Sequence, residues 1–266
     1  MKANTRNVIA ALAIIFITAT SLSAAGPEAA GPNAEAIIAS VYNRPQPADT
    51  SGTLTMTLID AKGRERVRSL EQRLAAFKGV DKKIMEFKGP ADVKGTAFMN
   101  WSYDEAGRSD DQWIYLPALK RVKRISSDGK GDAFMGSDFS YDDLAERHPS
   151  RDTHTVIGTE TIAGEECWII ESKAKDSTES YSRTVSWISK SRLTGLKRDY
   201  YDRKGTLLKT LAVLELKTVG KYLMITKTEM HNVQKNTRTR MQFGELKLDT
   251  GLTDELFSER TLTRGL

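Results

Sequence analysis

The stretch Thr237-Arg238-Thr239-Arg240-Met241-Gln242-Phe243 alternates strictly. Thr237, Thr239, Met241 and Phe243 share one face, and Arg238, Arg240 and Gln242 share the other. A period of two gives a half-buried β-strand one wet side and one dry side. The same period appears upstream, where Leu54, Met56 and Leu58 alternate with Thr53, Thr55 and Thr57 before Ala61-Lys62-Gly63 turns the chain. Comparable patterns fall at 66–77, 82–88, 95–103, 111–116, 154–162, 166–173, 181–188, 195–201, 207–216 and 222–231, with Gly63, Gly89, Gly107, Gly164, Gly205 and Gly220 among the turns. Short strands at regular spacing, punctuated by glycine, predict a sandwich or barrel and not βαβ units.

Less regular pieces lie around this pattern. Asn33 can cap a short helix that puts Ile37, Ile38, Val41 and Tyr42 on one face, and Arg44-Pro45-Gln46-Pro47 ends it. Leu116, Leu119, Val122 and Ile125 recur at threes, yet Pro117 interrupts them, so this piece reads as a strand, a tight turn over Pro117-Ala118-Leu119, and a second strand. A further short helix is predicted from Ser140 or Tyr141, with Asp142, Asp143 and Glu146 favourably placed in its first turns. Tyr181, Val185 and Trp187 read as one face, and Tyr222, Met224 and Met230 as another that also carries Thr226 and Thr228. Apolar faces with threonines fit either an internal cavity or half-exposed strands of an ordinary sheet.

At 266 residues, 39% of them apolar and 28% charged, the chain can bury a sizeable core and is neither disordered nor fibrous. Lys2 and Arg6 precede an apolar run at 8–17, and the small residues Ser21, Ser23, Ala24 and Ala25 follow. This is the order of a secretory signal peptide. A helix over 8–19 would be about 18 Å long, short of the ~30 Å needed to span a bilayer. We read 1–25 as a signal peptide cut after Ala25 or, almost as well, after Ser23, with an uncleaved membrane anchor as the alternative, and 26–266 as a single exported domain. Lys2 and Arg6 account for two of the +5 formal charges, and the +3 left is no nucleic-acid signature.

The chemistry-bearing residues are sparse. Cys167 is a single cysteine, so it closes no intramolecular disulfide and builds no cysteine-based metal site; beside Trp168 it reads as a buried, inert thiol. His148, His154 and His231 lack metal-ligand spacing, and no G-x-S-x-G marks a nucleophile, so the sequence predicts no metal, no cofactor and no catalytic set. Ser127-Asp128-Gly129-Lys130-Gly131-Asp132 reads as a turn. Lys120, Arg121, Lys123 and Arg124 form the densest basic cluster, either a solvated face or a contact for an anionic headgroup or acidic partner. Asp138, Asp142 and Asp143 are expected to neutralise part of it.

The block Trp113-Ile114-Tyr115-Leu116-Pro117-Ala118-Leu119-Lys120-Arg121-Val122-Lys123-Arg124-Ile125, continued by Phe134-Met135-Gly136-Ser137-Asp138-Phe139-Ser140-Tyr141-Asp142-Asp143-Leu144, resembles the signature of exported outer membrane lipoprotein-sorting proteins, a distant branch related to the LolA carriers. The Leu54/Met56/Leu58 strand, the Trp101 strand and Asp254-Glu255-Leu256-Phe257 fit the same pattern, so the resemblance covers nearly all of the mature chain. It implies a mainly β, LolA/LolB-like fold: a strongly curved, incompletely closed antiparallel β-barrel with short helices covering its concave apolar face.

The implied function is that of a periplasmic, non-enzymatic carrier. It would bind lipid or lipoprotein acyl chains in an apolar cavity and transfer them between membranes or to a membrane transporter. The implied partners are those acyl chains, an inner-membrane lipid transporter and an outer-membrane acceptor, with no nucleic acid and the protein itself a monomer. On this reading Leu54, Met56, Leu58, Met99, Trp101, Trp113, Tyr115, Met224, Met241 and Phe243 line the cavity, with Trp101 and Tyr115 at its mouth. Lys120, Arg121, Lys123 and Arg124 meet a headgroup or partner, and Arg68 is the lid-closing arginine. A chain of about sixteen carbons at ~0.8 kcal/mol per buried methylene offers on the order of 10 kcal/mol before ordering costs. The alternative is a non-carrier structural or adhesive scaffold of the same fold.

Overall fold

The computed structural model describes residues 33–105 and 107–266; the signal peptide expected at 1–25 lies outside the described residues. After helix α1 (Ala34–Tyr42), thirteen strands follow: β1 (Asp49–Ile59), β2 (Glu65–Phe77), β3 (Val80–Gly89), β4 (Ala97–Tyr103), β5 (Asp111–Leu116), β6 (Arg121–Arg124), β7 (Asp152–Ile162), β8 (Glu165–Ala174), β9 (Arg183–Ser189), β10 (Gly195–Tyr201), β11 (Leu207–Val219), β12 (Tyr222–Asn232) and β13 (Thr237–Leu248). Helix α2 (Glu259–Arg264) ends the chain. All strands join one sheet in the order β6-β5-β4-β3-β2-β1-β13-β12-β11-β10-β9-β8-β7, antiparallel throughout. Two meanders meet where β1 pairs with β13, and β6 and β7 remain as open edges.

Curvature follows from who touches whom. Phe98 on β4 and Tyr200 on β10 belong to one apolar cluster with Leu54, Met56 and Leu58 of β1 and Met230 of β12. Strands so far apart in the sheet share a core only if the sheet wraps round on itself. At the seam the register shifts between Gly52 and Leu54, and a Cβ on Gly52 would collide with the Glu245 carbonyl oxygen. Glycine is needed there because the two backbones approach too closely for any side chain.

Three covers close over the sheet. Between β6 and β7 the segment 125–151 crosses the concave face from one edge to the other. It inserts Phe134, Phe139 and Leu144 against Leu54, Met56, Leu70, Phe87 and Phe98, and the Phe134 ring meets those of Phe87, Phe98 and Tyr141 at 5.8, 5.4 and 5.5 Å. The helix predicted from Ser140 is a single 3-10 turn, Asp142–Leu144: Ser140 and Asp143 form a capping box at its start, the Ser140 amide donating to the Asp143 carboxylate and the Ser140 Oγ accepting from Asp143 N, and the chain becomes extended at Ala145. Helix α1, capped by Asn33 as expected, lays Ala34 and Ile37 on Ile170 and Ile188 at the other end of the concave face.

The convex face is covered as well, by the C-terminal segment. Phe257 and Leu262 seal Ala75, Ile84, Ala97 and Met99. Asp49 anchors this segment by accepting from Thr250 N and Oγ1, Gly251 N and Leu252 N at 2.7–3.1 Å. Burial pushes the Asp49 carboxyl up, but those hydrogen bonds outweigh it and hold the group below the usual carboxylate range. Its contribution is therefore complete above the unfolded value near 3.9 and is lost as pH falls through the lower folded value. Asp49→Ala is expected to cost about 1–3 kcal/mol at pH 7, and urea unfolding should show that gap from wild type narrowing below about pH 4.

Candidate functional site

The larger hollow, about 430 Å3, lies on the concave side between α1, the strands β8 to β12 and the segment 142–152. The geometry explains why it stays open. Phe134, Phe139 and Leu144 fill the face over β1 to β4 and reach only Tyr200, Leu211 and Met230 beyond it, whereas over β8 and β9 the cover is α1, which presents Ile38, Val41 and Tyr42 to the hollow. Ile188, Leu211, Val213 and Ile225 supply the apolar floor. Ile225 and Thr228 both reach the cavity although three residues apart, because the pairing jumps from Glu215↔Lys227 to Leu216↔Ile225 and skips Thr226.

A polar band crosses this hollow. Arg147 donates to both oxygens of Asp152, at 2.8 and 2.6 Å, and reaches Glu179 at 3.1 Å. Burial lowers the Arg147 pKa, but the contacts to Asp152 and Glu179 outweigh it and raise the value. Asp143 and Lys209, with side chains 2% and 4% exposed, form an ion pair that Tyr181 Oη extends by donating to Asp143 at 2.9 Å. Asp81 is pushed up to about 7, first by burial and then by the Glu146 carboxylate beside it. Arg198 donates Nε to Ser186 Oγ at 2.9 Å, and the Nε and Nη1 of Arg44 are buried without a partner among the described residues.

The residues expected to line the cavity are elsewhere: none is on the wall of this hollow. Leu54, Met56 and Leu58 do face the concave side, but they are packed shut beneath Phe134, with Met56 0% exposed, and Met241 and Phe243 pack against the same cluster. Met99, Trp101, Trp113 and Tyr115 are on the opposite face, under the C-terminal segment, so Trp101 and Tyr115 are at no mouth of this hollow. Met99, Trp101 and Trp113 instead border a second hollow of about 260 Å3 with Lys82, Asp254 and Phe257. The register explains this: Met99 pairs with Ile84 and Trp113, while the concave positions of β4 and β5 are Phe98, Asn100, Gln112 and Ile114. Met224 is half-buried in β12 outside the apolar clusters. Val185 and Trp187 face outward with Cys167, apart from Tyr181, which reaches the cavity.

Arg68 is on the concave side. It is buried and donates Nη1 to the Met135 carbonyl at 2.6 Å, thereby tying β2 to the covering segment. Lys120, Arg121, Lys123 and Arg124 lie at the β6 edge, where charged side chains discourage another strand from adding. The partner of Arg124 is Asp111. Asp138 and Asp143 do not neutralise this cluster as expected, since they serve Thr237, Thr239 and Lys209, and Asp142 makes no ion pair among the described residues. Sequence reading missed Arg44, Arg198 and Tyr42; the one available signal was Arg198, at the same parity as Tyr200 in β10.

An open, strongly curved antiparallel sheet with a covering segment, a helix and a hollow between them defines the LolA-like class. A family model described as that of an uncharacterized protein matches residues 79–264. A solved outer membrane lipoprotein-sorting protein domain from Vibrio parahaemolyticus is 35% identical, with a TM-score of 0.82 over 87% of this chain and 98% of its own. A DUF1329 family protein from Desulfovibrio piger is 28% identical with a TM-score of 0.82, over 86% of this chain and 97% of its own. A LolA superfamily protein from Nitrosomonas europaea shares the fold at 18% identity, with a TM-score of 0.66 over 85% of this chain and 98% of its own. No curated protein matches the chain. The chain belongs to the family of that Vibrio parahaemolyticus lipoprotein-sorting protein domain and has the LolA-like fold.

Proposed function

We propose that this protein, exported by the signal peptide at 1–25 and folded as one domain over 26–266, is a non-enzymatic periplasmic carrier. It would hold a hydrocarbon chain of a lipid or lipoprotein in the concave hollow and pass it between membranes or to a membrane transporter. The carrying observation is the hollow itself, about 430 Å3 with an apolar floor, inside a sheet of the lipoprotein-sorting family. That volume lies within the roughly 300–1,000 Å3 of typical small-molecule sites. Burial of a tail there would draw on the ~0.8 kcal/mol per methylene that makes binding favourable in water.

In this reading Arg68 holds the covering segment 125–151 shut over β1 to β4, and Lys120, Arg121, Lys123 and Arg124 meet a headgroup, a membrane surface or a partner from the open edge. Movement of that segment would expose Leu54, Met56, Leu58, Met241 and Phe243 to cargo. Lipid extraction and mass spectrometry of the purified protein should recover a co-purifying lipid, and Arg68→Leu, freed of its tether to Met135, should carry more. The densely filled half of the concave face favours a second reading, a scaffold of the same fold that binds on its surface. Protein that emerges lipid-free and takes up no fluorescent fatty acid would establish that one and end the carrier proposal.

A further inference from the structure

Most charges in the larger hollow are already spoken for. Arg147 answers Asp152 and Glu179, and Asp143 answers Lys209. Arg183 pairs with Glu171, and Lys197 pairs with Asp199. The remainder is unequal. Arg44 and Arg198 make no ion pair among the described residues, and Arg44 has two buried guanidinium nitrogens with no acceptor at all. Two carboxylates of the wall make no ion pair among the described residues: Glu146, which shares a hydrogen bond with Asp81 and lies near Lys83, and Asp142, which is pushed above its ordinary range by burial first and by Glu179 next, so that its negative charge is weakened. A guanidinium stays protonated in proteins even where burial lowers its pKa, as at Arg44. Buried donors left without acceptors cost free energy that a bound anion would return.

Size narrows the tail. A volume of about 430 Å3 lies in the lower part of the usual range for one small ligand, which suits a single hydrocarbon chain and not the several chains of a complete diacyl or triacyl lipid. Resting on the carrier reading above, we infer that the hollow is selective for a single-chain amphiphile with an anionic head, the tail against Ile188, Leu211 and Val213 and the head on Arg44 and Arg198. Carboxylate and phosphate heads share this chemistry, as both accept forked hydrogen bonds from guanidinium.

The test uses delipidated protein titrated with palmitate, with methyl palmitate, and with palmitate in the presence of millimolar acetate or inorganic phosphate. Palmitate should bind at least tenfold more tightly than the methyl ester, with neither small anion displacing it. Arg44→Met and Arg198→Met should each erase most of that preference by weakening palmitate far more than methyl palmitate, and Arg44→Lys, which keeps the charge but loses the fork, should keep part of it. Equal binding of acid and ester would overturn the head-group inference and leave the carrier reading standing. Displacement by phosphate alone would overturn it in favour of a small-anion site. Binding of neither probe would overturn both.

Discussion

Phe134→Ala is expected to lower the unfolding free energy by about 3–5 kcal/mol, the usual cost of deleting a fully buried aromatic ring from a packed core. Phe134 is 0% exposed and meets the rings of Phe87, Phe98 and Tyr141, so its loss leaves a void bounded by rigid strands that collapse only in part. Guanidinium or thermal unfolding reads the effect directly. The size of the loss also decides how the covering segment behaves. A change below about 1 kcal/mol would mean that segment 125–151 leaves the sheet at little cost, because a contact already broken in much of the population contributes little to global stability. The full loss would mean that it belongs to the core as firmly as β1 does.

Lys209→Met should produce a loss of comparable size, about 3–5 kcal/mol, by a different route. Lys209 and Asp143 are almost wholly buried, and Lys209 also donates to the Asp138 carbonyl at 3.1 Å. Methionine retains the stem and removes the charge, so the penalty is that of a carboxylate stranded away from water with only Tyr181 Oη and Ser140 N to satisfy it. Pairing the change with Asp143→Asn should restore part of the stability, giving a double-mutant coupling above about 1 kcal/mol. Simple additivity of the two changes would show that the pair contributes nothing beyond its separate parts. The pair fastens the 3-10 turn at Asp142–Leu144 to β11, so the same variant should loosen the wall of the larger hollow and speed amide hydrogen exchange across 138–146.

Strand after strand is legible in the amino-acid sequence, and the reason is visible in β13. One of its faces meets water and the other meets Met230 and Phe134, so the alternation of Thr239, Met241 and Phe243 with Arg238, Arg240 and Gln242 is sharp. The helix cap at Asn33 and the turn at Pro117 are legible for the same local reason, since each depends on residues adjacent in the chain. Legibility fails at β4 and β5, where Phe98 and Ile114 are buried on one face and Met99 on the other, with Trp101 and Trp113 partly covered beside Met99. A strand covered on both sides shows no contrast between its faces, and parity cannot be assigned from composition.

The cavity is illegible for a related reason. Residues apolar enough to line a hollow, such as Leu54 and Met56, are apolar enough to be filled in, and Phe134, far along the chain, does the filling. What the sequence by itself determined was the period-two strands, their turns, the helix at 34–42 and the family, because these rest on contacts between neighbours and on a matching order of motifs. What only the tertiary structure decided was which face of each strand is covered, by what, and where space remains. That follows from the curl of a thirteen-stranded sheet, which brings β4 to β10 and sends segment 125–151 across the concave side.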